Sequence, residues 1–300
     1  MKGKICVITG ATSGIGRAAA LELGRLGANL ILTGRNEPSA GKLIRRIERV
    51  HGHGSTHFLA ADLSNRNDVR RLAVDIAKRT DRINVLINNA GARFNDFRLS
   101  EDGVELTFAT NHLGHFLLTA LLLEKLQAAE AARVIVVSSG AHGGSTGDFE
   151  RYLLANNYDR KSAYGTSKLA NLMFTYELAR RLRGTKITCN AVDPGGVATN
   201  LGRNNGIVSW MRHIGFYALK RDLISPKKGA ETLVYLASSP AVDAVSGKYF
   251  FRNRETTSSL VSNDVEVTMR LWDLSISMTG VNERIGPAWE FFKPLHHHGP

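Results

Sequence analysis

A single-domain, doubly wound parallel α/β sheet is the fold this sequence predicts, on three observations. Short apolar runs alternate with helical patterns along nearly the whole chain. A glycine-rich turn, Thr9-Gly10-Ala11-Thr12-Ser13-Gly14-Ile15-Gly16, joins the first run to the first helix. Residues suited to chemistry fall just after the runs: Gly10, Gly34 with Arg35, Asp62, Asn89, Ser139 and Pro194. Alternation of this kind implies parallel strands with helices on both faces. Right-handed crossovers then align the carboxyl ends of the strands along one edge, where a ligand binds.

The first strand, Ile5 to Thr9, contains the run Ile5-Cys6-Val7-Ile8 and feeds the glycine turn, after which Gly14 to Leu26 reads as a helix. Further strands are expected at Leu30 to Thr33, His57 to Ala61, Val85 to Asn88, Arg133 to Ser138, Lys186 to Val192 and Lys248 to Phe251. Helical patterns lie between them at Glu37 to Val50, Arg66 to Arg79, Gly103 to Glu130, Ala163 to Arg183 and Pro226 to Ser238. A last helix is expected at Val265 to Met278, within a C-terminal helical extension of about residues 255–300 that packs near the substrate opening or a partner subunit.

Two of these segments carry chemistry. A strand, a glycine turn and a helix in that order form a phosphate cradle, because glycines let the backbone approach a pyrophosphate whose charge sits on free N–H groups. In Tyr164-Gly165-Thr166-Ser167-Lys168 a phenol and an amine stand four residues apart on one helix face. There the ammonium can lower the phenol's pKa and make it a proton donor and acceptor near neutrality. Alone, such a pair reads more readily as an exposed surface pair.

Three residues rather than one separate the first two glycines, a departure from the general dinucleotide fingerprint. With Asn88-Asn89-Ala90-Gly91, Tyr164 and Lys168, and Pro194-Gly195-Gly196-Val197-Ala198-Thr199, the pattern resembles the short-chain dehydrogenase/reductase family from about Lys4 to about Gly280. Phe108-Ala109-Thr110-Asn111-His112-Leu113-Gly114-His115-Phe116 and Ala163-Tyr164-Gly165-Thr166-Ser167-Lys168-Leu169-Ala170-Asn171 resemble its retinol dehydrogenase branch. The resemblance implies a Rossmann domain and a catalytic set. Tyr164 would be the general acid for carbonyl reduction and the base in reverse, and Lys168 would depress its pKa and hold the nicotinamide ribose. Ser139 would hydrogen-bond the substrate oxygen, and Asn111 would hold a water that relays protons through Lys168. Ser138 stays open as the working serine, since adjacent strand residues face opposite ways.

The implied cofactor contacts begin at the turn with Gly10, Thr12, Ser13, Gly14, Ile15, Gly16 and Arg17. Asp62 and Leu63 would meet the adenine, and Asn89, Ala90 and Gly91 would wall the nicotinamide side. Pro194, Gly195, Val197 and Thr199 would hold the carboxamide and a phosphate, with Tyr164 and Lys168 also meeting the cofactor. In NAD-specific relatives a carboxylate closes the second strand. Here Leu30-Ile31-Leu32-Thr33-Gly34-Arg35-Asn36 offers Arg35 instead. A guanidinium pairs with a phosphate, so NADP(H) is expected in preference to NAD(H). The function implied is an NADP(H)-dependent oxidoreductase interconverting a lipophilic alcohol and its aldehyde or ketone, retinoid-, steroid- or lipid-like. The competing reading is a non-catalytic dinucleotide-binding regulatory or scaffold module.

With 300 residues, 43% of them hydrophobic, and no linker or repeat, the chain reads as one domain over residues 1–300. At about 200–225, Ile207, Trp210, Met211, Ile214, Tyr217 and Ala218 recur at helical spacing, which reads as a lid-like insertion over the nicotinamide, as core or dimer packing, or as a membrane-surface helix. Gly143-Gly144-Ser145-Thr146-Gly147 resembles the loop insertion of the retinol branch. Cys6 and Cys189 sit in strands about 14 Å apart, too far for a bridge. His51, His53 and His57 lack partners at ligand spacing, and no metal is expected. The formal charge of +12 is dispersed over several helices without a nucleic-acid motif. No signal peptide or run of 18 apolar residues is present, so a cytoplasmic location is expected, with peripheral membrane contact left open. A homo-oligomer also stays open.

Overall fold

The strand runs of the sequence assemble, in a computed structural model describing residues 1–50, 54–153, 158–197 and 223–294, into one 8-stranded sheet ordered β3-β2-β1-β4-β5-β6-β7-β8. The strands are β1 (Ile5–Ile8), β2 (Asn29–Gly34), β3 (Thr56–Ala60), β4 (Val85–Asn88), β5 (Ala132–Val137), β6 (Ile187–Asp193), β7 (Tyr249–Phe251) and β8 (Arg254–Glu255). Every neighbouring pair is parallel except β7 with β8. The central runs are largely apolar because a parallel strand there is covered on both faces, and β4 is buried at every position. The order reverses between β1 and β4, which places a crevice beyond their carboxyl ends.

Helices cover both faces. On one lie α1 (Gly14–Arg25), α2 (Glu37–Val50) and, after β6, a helix at Pro226–Ser238. On the other lie α3 (Arg66–Ala77) and the long pair that flanks β5. The first of that pair was expected as one helix from Gly103 to Glu130. It is instead a short turn α4 (Leu106–Phe108), a π turn (Ala109–Leu113) and α5 (Gly114–Gln127). The Gly114 N–H reaches back to the Ala109 carbonyl, five residues away, so the ladder takes in one extra residue here. After the short α6 (Phe149–Tyr152), α7 (Arg160–Arg181) carries Tyr164 and Lys168, and Pro226–Ser238 becomes α8. The segment Leu106–Gln127 is long and apolar enough to cross a membrane, yet 83% of its most apolar stretch is buried inside the protein. It is apolar on all sides because it is a core helix.

The C-terminal extension forms α9 (Val265–Thr279) and the short α10 (Trp289–Phe292) and packs within its own chain. Trp272 stacks on Phe174 and Phe292 and meets the edge of Phe116 at 5.0 Å between centroids. Its indole N–H donates to the Phe292 carbonyl at 3.0 Å, and the Arg181 guanidinium lies 4.2 Å over its ring. One side chain therefore ties α9 and α10 onto α5 and α7. Trp272→Ala is expected to cost about 4 kcal/mol. Urea unfolding at constant m-value checks this, and a loss under about 1 kcal/mol would mean that the cluster does not hold the extension.

Cys6 and Cys189 lie on β1 and β6, separated by β4 and β5, and both are free and buried. Burial pushes the Cys6 thiol up to about 12 and the Cys189 thiol upward as well, so neither is a ready nucleophile. Thr199, nearly all of the 200–225 insertion, His51, His53 and His296-His297-His298 lie outside the described residues.

Candidate active site

Gly10 takes φ +65°, and a Cβ there would stand 2.8 Å from the Ala90 Cα; at Gly16 a Cβ would come within 2.5 Å of the Gly10 carbonyl and the Asn89 amide. Only glycine lets the turn close against the loop after β4. The Asn89 side chain completes this closure by donating to the Thr9 carbonyl at 2.7 Å. Ser13 stands at the N-cap of α1 but makes no capping hydrogen bond with its side chain. By contrast, Asn65, Asp159, Ser225 and Asp264 cap α3, α7, α8 and α9. The first turn of α1 thus receives no side-chain cap from Ser13, an arrangement in which helix amides are available to an anion.

Arg35 and Asp62 flank that cradle at the ends of β2 and β3, with the guanidinium 3.4 Å from the carboxylate. Burial alone would raise the Asp62 pKa, but hydrogen bonds from the Ser64 N–H and hydroxyl and the charge of Arg35 bring it below the usual range. Arg35 is 63% exposed, so its remaining donors face outward. Arg17 is exposed on the first turn of α1. Leu63 is 7% exposed, its side chain packed in the core, and α5 comes so close that a Cβ on Gly114 would stand 2.3 Å from the Leu63 carbonyl. Val197, in the segment after Pro194 and Gly195, packs toward Gly229 of α8 and bridges to Ile224. A Cβ on Gly229 would stand 2.6 Å from Val197 and 3.5 Å from Ile15, so this segment closes over the glycine turn.

Lys168 is 2% exposed, and its ammonium donates to the Val137 carbonyl at the end of β5 at 3.0 Å. The ammonium lies 5.6 Å from the centre of the Tyr164 ring. A Cβ on Gly91 would be 3.6 Å from both the Lys168 Nζ and the Asn111 Oδ1. Helix α7 thus delivers its amine to the same loop that closes the glycine turn. Burial pulls the Lys168 pKa down to about 8, partly offset by the Asp193 carboxylate at the end of β6. Asp193, which sequence reading passed over as a strand end, also accepts the Gly195 N–H at 2.8 Å.

The two serines separate by environment. Ser138 is 1% exposed, and its hydroxyl donates to the Lys168 carbonyl at 2.8 Å. Ser139 is only half-buried and starts the helical turn Gly140–Gly144. Its hydroxyl accepts the Ala141 N–H at 3.3 Å, and α7 comes so close to this turn that a Cβ on Gly165 would be 2.8 Å from the Ala141 carbonyl. The Ser139 carbonyl accepts from His142 Nδ1 at 2.8 Å, and His142 Nε2 accepts the Ser259 N–H at 3.1 Å. His142 is therefore the Nδ1–H tautomer and ties the C-terminal extension to the serine.

Asn111 lies inside the π turn and is fully buried. Its Oδ1 accepts the Ala92 N–H at 2.7 Å, and its Nδ2 donates to the Ala92 carbonyl at 3.0 Å and to Ser167 Oγ at 2.9 Å. Both amide hydrogens are thereby used, and the side chain clamps the loop after β4 to α7. Thr9, His115, Ser167 and Asp193 had no place among the sequence-derived site residues. Of these only His115, one helical turn from Asn111, had a spacing that could have flagged it.

The profile of the short chain dehydrogenases matches residues 4–207. Human retinol dehydrogenase 14 is 40% identical over 294 residues, spanning 94% of this chain and 88% of that protein. Human retinol dehydrogenase 13 is 40% identical over 288 residues, spanning 93% and 85%. A crystal structure of a Mycobacterium paratuberculosis protein superposes with a TM-score of 0.75 at 32% identity, covering 94% of this chain and 95% of the other.

Proposed function

The chain belongs to the short-chain dehydrogenase/reductase family of nicotinamide-dependent oxidoreductases, and from that premise we propose that it uses NADP(H) to interconvert a lipophilic alcohol and its aldehyde or ketone. The observation that carries this reading is the burial of the Lys168 ammonium 5.6 Å from the centre of the Tyr164 ring and against the loop that closes the glycine turn, whose helix lacks a capping side chain. The residues present fit the dinucleotide. Gly10, Thr12, Ser13, Gly14, Ile15 and Gly16 would hold its pyrophosphate, Asp62 and Leu63 its adenine, and Asn89, Ala90, Gly91, Pro194, Gly195 and Val197 its nicotinamide end. When bound, the nicotinamide ring gives or takes the hydride.

The chain's own groups handle the proton. In reduction Tyr164 would give its phenolic proton to the substrate oxygen as charge develops there, and in oxidation it would take that proton back. Ser139 would donate a hydrogen bond to the same oxygen and orient it. The buried ammonium of Lys168 favours the phenolate and so keeps proton transfer within reach at neutral pH. A regulatory module without turnover would have no use for these proton-transfer groups. The substrate class rests on the retinol dehydrogenases as relatives.

Arg35 is the residue proposed to select the phosphorylated cofactor, with Arg17 beside it. Arg35→Asp is expected to weaken NADPH binding roughly ten- to a hundredfold and to leave NADH binding little changed, measured by fluorescence titration. Unchanged NADPH affinity would remove Arg35 from the phosphate site. The reading as a whole is tested with apolar aldehydes, ketones and alcohols, followed by nicotinamide absorbance with both cofactors. Equal use of NADH by the parent protein would sink the NADP assignment, and absence of turnover with every member would sink the enzyme assignment.

A further inference from the structure

His115 is 1% exposed in the first turn of α5, and no role in proton or hydride transfer falls to it. Its ring touches two elements of the site. Nδ1 lies 3.0 Å from the Asn111 carbonyl, and Nε2 lies 2.9 Å from Thr9 Oγ1. A carbonyl only accepts, so Nδ1 must carry the hydrogen. Thr9 Oγ1 already accepts the N–H groups of Asn89 and Ala90 at 2.8 and 2.9 Å, which occupies both its lone pairs. Its own hydrogen then points at Nε2. The tautomer follows from the partners: neutral imidazole, protonated at Nδ1.

These bonds form one continuous path. The Asn89 and Ala90 amides, on the loop that would wall the nicotinamide side, donate to Thr9; Thr9 donates to His115; and His115 donates to Asn111. Asn111 donates to Ser167 Oγ, and Ser167 donates to the carbonyl of Tyr164 at 2.8 Å. The path starts at the loop that would face the cofactor and ends on the backbone of the residue that would move the proton. It crosses the π turn, where the helix ladder is out of step and a carbonyl has most to gain from an outside donor.

We propose that His115, as the neutral Nδ1–H tautomer, is a positioning residue that fixes the π turn bearing Asn111 to the cofactor loop and thereby sets where α7 presents Tyr164. The proposal rests on the oxidoreductase reading of the site. Burial, against the pull of the Asn111 carbonyl and with the Lys168 ammonium nearby, holds the His115 pKa down at about 3, so the ring keeps this tautomer-defining neutrality throughout the working pH range.

The two bonds can be separated by substitution. In His115→Asn the amide nitrogen can take the place of Nδ1 and still donate to Asn111. Thr9 can then turn its hydroxyl to the Ile87 carbonyl, 3.3 Å away. In His115→Gln the amide oxygen can take the place of Nε2 and accept from Thr9, while the Asn111 carbonyl loses its donor. Each variant cuts one end of the tie, so the expected kcat at saturating cofactor and substrate is lower than the parent's by roughly ten- to a hundredfold for both His115→Asn and His115→Gln. The ratio to the parent should be flat from about pH 5.5 to 9, because no proton leaves or joins the ring. A purely structural role would instead lower the thermal midpoint of both variants and leave kcat per folded molecule unchanged, which would overturn the proposal. Independently of turnover, long-range nitrogen–proton spectra of 15N-histidine-labelled parent protein should show His115 protonated at Nδ1 and bare at Nε2. The opposite tautomer would overturn the proposal even if turnover were found. A parent protein without turnover would sink the oxidoreductase reading while leaving this spectrum to decide the geometry.

Discussion

Replacing Tyr164 by phenylalanine is expected to lower kcat by about a thousandfold while changing NADPH affinity less than about threefold. The change removes one oxygen and its proton and keeps the ring on the same face of α7. Lys168 would still lie 5.6 Å from the ring centre, still bonded to the Val137 carbonyl. The ribose contact proposed for Lys168 and the amides of the glycine turn are untouched, so binding should survive. What is lost is the only group proposed to exchange a proton with the substrate oxygen. Ser139 can still orient that oxygen but is far too weak an acid to replace a phenol. The measurement is steady-state kinetics in both directions beside a fluorescence titration of NADPH. More than a tenth of parent activity would take Tyr164 out of the proton-transfer step, and lost NADPH binding would show that the hydroxyl serves the cofactor instead.

The elements of this fold were legible to within a few residues because parallel strands announce themselves. A run such as Ile5-Cys6-Val7-Ile8 is apolar at every position, since helices cover both of its sides. The short α6, β8 and the π turn were not legible. β8 is two exposed charged residues, Arg254 and Glu255, paired antiparallel with β7, and a polar edge strand of that length has no apolar signature. The π turn at Ala109–Leu113 was read through as ordinary helix, because one extra residue in a segment apolar on all sides shifts no visible stripe. The site divides similarly. Tyr164, Lys168 and the glycines stand out by short spacings. Thr9 and His115 meet across 106 positions of sequence, and Asn111 and Ser167 across 56, so nothing local marks either pair. The Lys168 carbonyl holds the Ser138 hydroxyl across 30 positions of sequence, so nothing local separates Ser138 from Ser139.

Lys168→Met is expected to abolish turnover and yet make the protein more stable at pH 7. The ammonium is 2% exposed, and burial takes its pKa from 10.5 to about 8. At about 1.4 kcal/mol per pKa unit, holding this charge inside costs about 3 kcal/mol. A methionine of similar length fills the space without a charge. The Val137 carbonyl keeps a donor, since Asn171 Nδ2 also reaches it at 3.1 Å. The gain will fall short of the full cost, because Asp193 loses a nearby positive charge, and about 1–2 kcal/mol is expected. The pH dependence supplies a second check. The folded pKa lies below the unfolded one, so between about pH 8 and 10.5 the unfolded parent holds more protons than the folded parent. Parent stability should therefore gain a rising contribution across that window, and the methionine variant should lack it. Urea midpoints at pH 7 and 9.5 for both proteins measure this. A variant less stable than the parent at pH 7 would mean that the contacts of the ammonium outweigh its burial, and that the site is not held at the expense of the fold.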